Sequence, residues 1–135
     1  MLVVDANILI ASILKNSQVR KLITESTEIL LAPEIIFKEI ENHKEELLNK
    51  SALSNAEFEE ILSILSKYLV IVKTDKIQLY TEKAEKIISH IDKDDVPIVA
   101  TSLAYNSCPI WTDDKGFKKQ NQIRIITTKE LIEMD

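Results

Sequence analysis

Short apolar runs alternate along this chain with longer stretches in which apolar residues recur every three to four positions. The first run, Leu2-Val3-Val4, is apolar on both faces, as a buried parallel strand tends to be. Glu28-Ile29-Leu30-Leu31-Ala32, broken by Pro33, predicts a second strand and Leu69–Val72 a third; Ile110–Thr112 and Ile123–Thr127 predict the remaining two. Helical periodicity covers Ile8–Leu14, with Asn7 as its N-cap, then Gln18–Ser26, Glu34–Asn49 and Asn55–Lys67, the last capped near Ser54. A further helix is predicted over Asp75–Ile91, followed by the acidic turn Asp92-Lys93-Asp94-Asp95. The helix Val96–Tyr105 carries Pro97 in its first turn, where proline is tolerated, and Lys129–Glu133 forms a closing helix. This alternation implies one α/β domain over residues 1–135, a three-layer α/β/α sandwich around a mainly parallel sheet of about five strands.

Composition narrows the function classes. No apolar run approaches about 18 residues, so no membrane span is expected. The apolar start MLVVDANILIASILK is interrupted by Asp5 and Asn7 and lacks a preceding basic segment, so the expected compartment is the cytoplasm. Gly116 is the only glycine, which excludes both a dinucleotide fingerprint and a phosphate-binding P-loop. If the chain handles phosphate, metal and side chains must do it. The single cysteine, Cys108, has no disulfide partner and reads, just ahead of Pro109, as a buried structural thiol. A net charge of −5 counts against passive duplex binding. It does not count against a metal nuclease, whose acids are offset locally by bound cations. Lys115, Lys118, Lys119 and Arg124 also gather close behind one acidic position.

Four acidic stations stand at the ends of the predicted elements. Asp5 closes the first strand, Asp114 follows Pro109-Ile110-Trp111-Thr112, Asp95 opens a helix, and Glu39 lies in the helix after Pro33. Carboxylates gathered at the strand ends of one sheet repel each other unless a cation lies between them, which points to a hard divalent ion, Mg²⁺ or Mn²⁺. Ligands of such sheets bind outside the carboxyl ends of the strands, where Asp5 and the Asp113-Asp114 pair fall. On a helical wheel at about 100° per residue, Glu39 falls near −60° from Ile36 and His43 near −20°, both inside the apolar arc. Glu41 and Glu45 point away from it. His43 therefore reads as a rim or substrate-contacting residue; zinc would need further ligands, and only His90 remains. Asp92, Asp94 and Asp95 precede a helix whose dipole they complement, and capping explains one of them, most naturally Asp94. Between Asp94 and Asp95, and between Asp113 and Asp114, the ligand stays open at this point.

Val4-Asp5-Ala6-Asn7-Ile8-Leu9, Asp95 to Ala100 and Thr112-Asp113-Asp114-Lys115-Gly116-Phe117 together resemble the ordered motifs of PIN-domain nucleases, with Glu39 in the place of their intermediate acid. The resemblance spans essentially the whole chain. It implies that Asp5, Glu39, Asp95 and Asp114 ligate one or two Mg²⁺ or Mn²⁺ ions, with Asn7 and Thr112 supporting them and Asp94 and Asp113 flanking. It further implies hydrolysis of single-stranded RNA, whose backbone Lys115, Lys118 and Lys119 would track. A toxin's role beside an antitoxin protein, and a homodimer, complete the expectation. Two other classes compete. A PIN-like scaffold without activity would bind metal for stability alone. Aspartate-based phosphatases use Asp-x-Asp-x-Thr after the first strand, and Asp5-Ala6-Asn7-Ile8-Leu9 lacks both the second acid and the threonine.

Overall fold

A computed structural model describes residues 1–14 and 17–134. Among them the strands are β1 (Leu2–Val4), β2 (Leu30–Pro33), β3 (Leu69–Val72), β4 (Ile110–Trp111) and β5 (Ile125–Ile126). They form one five-stranded sheet in the order β3-β2-β1-β4-β5, with every pairing parallel. Val3 stands opposite Leu31 on one side and Ile110 on the other, and all three are fully buried. β1, β2 and β4 are buried throughout and need no polar alternation, which explains their unbroken apolar runs, whereas β3 leaves Val70 and Ile71 exposed.

The helices are α1 (Ala6–Leu14), α2 (Ser17–Thr24), α3 (Glu34–Asn42), α4 (Lys44–Lys50), α5 (Asn55–Ser66), α6 (Thr74–Ile77), α7 (Thr81–Asp92), α8 (Val96–Ala104) and α9 (Thr128–Met134). α1, α2 and α5 pack together, with α5 against β3; α6, α7 and α8 pack together, with α8 across β1, β2 and β4. The result is the expected α/β/α sandwich around a continuous apolar core. Ser54 starts α5 with a reciprocal cap. Its hydroxyl accepts from Glu57 N at 3.1 Å, and its own N–H donates to Glu57 Oε1 at 3.0 Å.

Several boundaries differ from the sequence expectation, each for a local reason. α1 starts at Ala6, because the Asp5 carbonyl already accepts from Ile8 and Leu9. Asp5, not Asn7, is therefore the residue at the helix entry, and Asn7 lies exposed in the first turn. The helix expected over Glu34–Asn49 is two, broken at His43 (φ −102°, ψ 13°). Beyond the break, Lys44 pairs with Glu59 and stands over the Phe58 ring while Leu47 enters the core. These contacts with α5 outweigh helix continuity. The helix expected over Asp75–Ile91 is likewise interrupted by a 3-10 turn at Gln78–Tyr80. β5 is shorter than Ile123–Thr127, because the Gln120 carboxamide satisfies both the N–H and the carbonyl of Ile123 at 2.8 Å. α8 ends at Ala104, and Asn106 and Ser107 turn the chain toward β4 with φ of 59° and 56°.

Candidate metal centre

The strand order reverses beside β1: β2 and β3 lie on one side of it, β4 and β5 on the other. At such a switch point the loops leaving the two neighbouring strands part and open a crevice at their carboxyl ends. Asp5 leaves β1 there and Thr112 to Asp114 leave β4. One cavity of about 480 Å³ opens at this edge. Asp5, Glu39, Asp95 and Asp114 all line it, as do Asn7, His43, Asp92 and Asp94.

Asp5 is the most enclosed of these, 2 % exposed. Its Oδ2 accepts from the Thr112 hydroxyl at 2.8 Å, and the same hydroxyl oxygen accepts the Asp114 N–H at 3.0 Å. Thr112 thus joins the ends of β1 and β4 and fixes the relative placement of two acids 109 positions apart in the sequence (114 − 5). Asp114 Oδ1 in turn accepts the Gly116 N–H at 2.9 Å. A Cβ on Gly116 would lie 3.3 Å from that oxygen and 3.6 Å from Ile91, so the chain's one glycine stands where space is shortest. Burial pushes the Asp5 carboxyl above its ordinary pKa, and the charge of Asp114 adds to this; the Thr112 bond and the Ala6 and Asn7 amides oppose it.

The 3-10 turn Lys93–Asp95 delivers Asp95, at the start of α8. Its Oδ2 is buried and has no hydrogen-bond partner. Burial first, then the charges of Asp5, Asp92, Asp114 and Asp94, raise its pKa to about 7. Glu39 is half-buried on α3, raised by burial and by Asp94 and drawn back by His43. An orphaned carboxylate oxygen in a field of like charges is a group that lacks a cation. The donor set is all carboxylate oxygen, which suits a hard divalent ion rather than zinc or copper. Among the described residues, no three of these groups already stand around a single point. The acids line the cavity walls without closing on its centre.

The neighbouring acids separate clearly. Asp113 turns away from the cavity: its Oδ1 accepts from Thr128 N at 2.8 Å and its Oδ2 from the Thr128 hydroxyl at 2.6 Å, which caps α9. Trp111 Nε1 donates to the same hydroxyl at 3.0 Å. Asp113 is therefore a structural cap, contrary to the supporting role expected of it. Asp94 is exposed at the mouth, and its N–H donates to Asp92 Oδ1 at 2.9 Å. Asp92, expected only as part of an acidic turn, lines the cavity as well. Lys115, Lys118 and Lys119 are exposed on a 3-10 turn beyond Asp114 and do not line the cavity. The cation that does is Lys50, bonded to Glu46 at 3.1 Å. Sequence reasoning missed Lys50, because the break at His43 decides where α4 points. Cys108 is half-buried with its thiol pKa raised by burial, in keeping with a structural role.

Comparison with known proteins adds two findings. A chain of VapBC2 from Rickettsia felis, solved in a crystal structure bound to a DNA fragment from their promoter, superposes with a TM-score of 0.68 at 17 % identity. The match covers 93 % of this chain and 97 % of that one, which shows a shared fold. No curated protein matches significantly by sequence. The family model for the PIN domain matches residues 3–132. The ordered acids at the switch point and a match of that span lead to one assignment: the chain belongs to the PIN domain family.

Proposed function

We propose that this chain is a metal-dependent endoribonuclease that hydrolyses phosphodiester bonds of single-stranded RNA. PIN domains are generally divalent-metal-dependent nucleases. The observation that carries the reading here is the buried, unpartnered Oδ2 of Asp95, a residue that lines the cavity together with Asp5, Glu39 and Asp114. Those four residues would hold Mg²⁺ or Mn²⁺, with Asn7 and Asp94 at the mouth. Bound there, such an ion would neutralise charge on the phosphoryl oxygens and lower the pKa of a water so that it ionises to the attacking hydroxide. The chain's own contribution is placement. The Thr112 hydroxyl donates a hydrogen bond to Asp5 Oδ2 and leaves Asp5 Oδ1 free of that bond. The Gly116 amide donates to Asp114 Oδ1 and leaves the other oxygen of this cavity-lining residue free of that bond. Asp95 or Asp114 would orient the attacking water.

The likeness to the VapBC2 chain supports a toxin's role beside an antitoxin protein. A homodimer and a cytoplasmic location belong to the same proposal. Among the described residues no helix is long and apolar enough to cross a membrane. Lys115, Lys118 and Lys119 would meet the RNA backbone outside the cavity rather than at the reacting phosphate. Purified protein incubated with labelled single-stranded RNA should cleave it with Mn²⁺ or Mg²⁺, and EDTA should stop cleavage. Asp5→Asn should lower the rate by about two orders of magnitude or more, the scale for loss of a group that organises the transition state. Wild type and variant indistinguishable, with and without metal, would leave a PIN scaffold that binds without cutting.

A further inference from the structure

The cavity does not end at the acids. Beyond Asn7 its lining extends into an apolar arm to which α1 contributes Ile10 and Leu14 and the α3–α4 pair contributes Ile40 and Leu47. Asn7 to Leu14 is roughly 10 Å of helix at about 1.5 Å per residue. The polar groups along the arm are His43, Glu46 and Lys50, and they engage one another. His43 Nδ1 lies 3.6 Å from Glu46 Oε2, and Lys50 Nζ lies 3.1 Å from Glu46 Oε1. Apart from Asn7 at the mouth, no hydroxyl or carboxamide side chain among the described residues lines this cavity.

This inference rests on the endoribonuclease reading. A phosphodiester held among the acids brings its sugars and bases with it, and the arm is the space continuous with that position. We propose that the arm is a nucleobase subsite. It takes the base of a nucleotide adjoining the cleaved linkage between Ile10 and Leu14 on one side and Ile40 and Leu47 on the other. The Lys50 ammonium faces the next phosphate. Aliphatic walls bury the two faces of a base and remove apolar area from water. They offer no fixed donor or acceptor to its edge, and edge contacts are what distinguish one base from another. The donors and acceptors that do line the arm, His43, Glu46 and Lys50, are paired with one another, so the subsite senses that a base is present and how large it is, and is blind to its hydrogen-bonding pattern.

The test uses the wild-type protein, Mn²⁺ and a single-stranded oligoribonucleotide with one mapped cleavage position. A single abasic residue is walked through the positions flanking that linkage. One position should exist at which losing the base lowers kcat/KM roughly tenfold, the scale of one base's contact with a protein platform. Inosine in place of guanosine at that position should be cleaved like guanosine. Leu47→Ala, with its fold checked by thermal melting, should narrow the gap between parent and abasic substrates; if it does not fold, the wild-type series alone decides. Equal cleavage wherever the abasic residue is placed overturns the subsite and leaves the arm to a polypeptide partner. Discrimination between inosine and guanosine overturns its blindness to base edges. Bis(p-nitrophenyl) phosphate separates the two levels, since it carries no nucleobase. Hydrolysis of this ester and of RNA without an abasic effect sinks the subsite only. No hydrolysis of either sinks the nuclease reading, and the subsite with it.

Discussion

Asp95 keeps one oxygen buried without a donor while four other acids face it. Its pKa rises from 3.8 to about 7, so the folded chain holds a proton there more tightly than the unfolded chain does. An acid raised in this way contributes stability at low pH, and the contribution is lost as pH climbs through the folded value. Asp5 and Glu39 are shifted in the same direction. In EDTA the Tm should therefore fall between about pH 4 and pH 7, and Asp95→Asn should flatten the fall and melt higher at the alkaline end. Adding Mn²⁺ should raise the wild-type Tm more than that of the variant. Scanning fluorimetry across pH reads all of this, and an unaltered slope in Asp95→Asn would assign the cost to another group. Asp5 and Glu39 were legible in the sequence because each is an acid among apolar neighbours. Choosing Asp114 over Asp113 was not, since two adjacent acids in a turn look alike. Their difference is made by Thr128, fifteen residues on, which the sequence does not bring near.

The elements were legible in kind and less so in their ends. Strands apolar on both faces, the Ser54 cap and Pro97 in a first turn each leave a local mark, and each stands where expected. Breaks set by tertiary contacts leave none. The helix stops at His43 where Lys44 pairs with Glu59 of α5 and Leu47 enters the core, and β5 is cut short by the Gln120 side chain. The turn after α8 carries positive φ at Asn106 and Ser107 without a glycine to announce it. α9 has no fully buried residue among the described ones, packs the partly buried Leu131 on the core, and is held at its start, where Asp113 accepts from Thr128. Asp113→Ala should cost about 1 kcal/mol in urea unfolding, the usual worth of a lost cap, while Mn²⁺ still raises the Tm. Asp114→Ala should show the reverse, with stability little changed and the response to Mn²⁺ weakened. If the two variants exchange these behaviours, the assignment of the pair is inverted.

On the scale of the whole molecule, β3 is an edge strand whose Val70 and Ile71 stay 46 % and 45 % exposed. Ile64 and Tyr68, at the end of α5 and just beyond it, are exposed in the same part of the chain. Long apolar edges are ordinarily blunted or covered, and a second copy is the cover that the proposed homodimer supplies. Light scattering should then report about twice the 15.4 kDa chain mass, and Val70→Lys with Ile71→Lys should return it to the single-chain mass. A double variant that keeps the larger mass would place the interface elsewhere. The topology has a consequence of its own. Residues up to Val72 can complete β1, β2 and β3 as they emerge from a ribosome, yet Asp5 waits for Thr112, and the crevice waits for β4 to settle beside β1. A chain stalled anywhere before residue 110 has three of its five strands but lacks Thr112 and Asp114, so the proposed site stays incomplete until translation has passed that point.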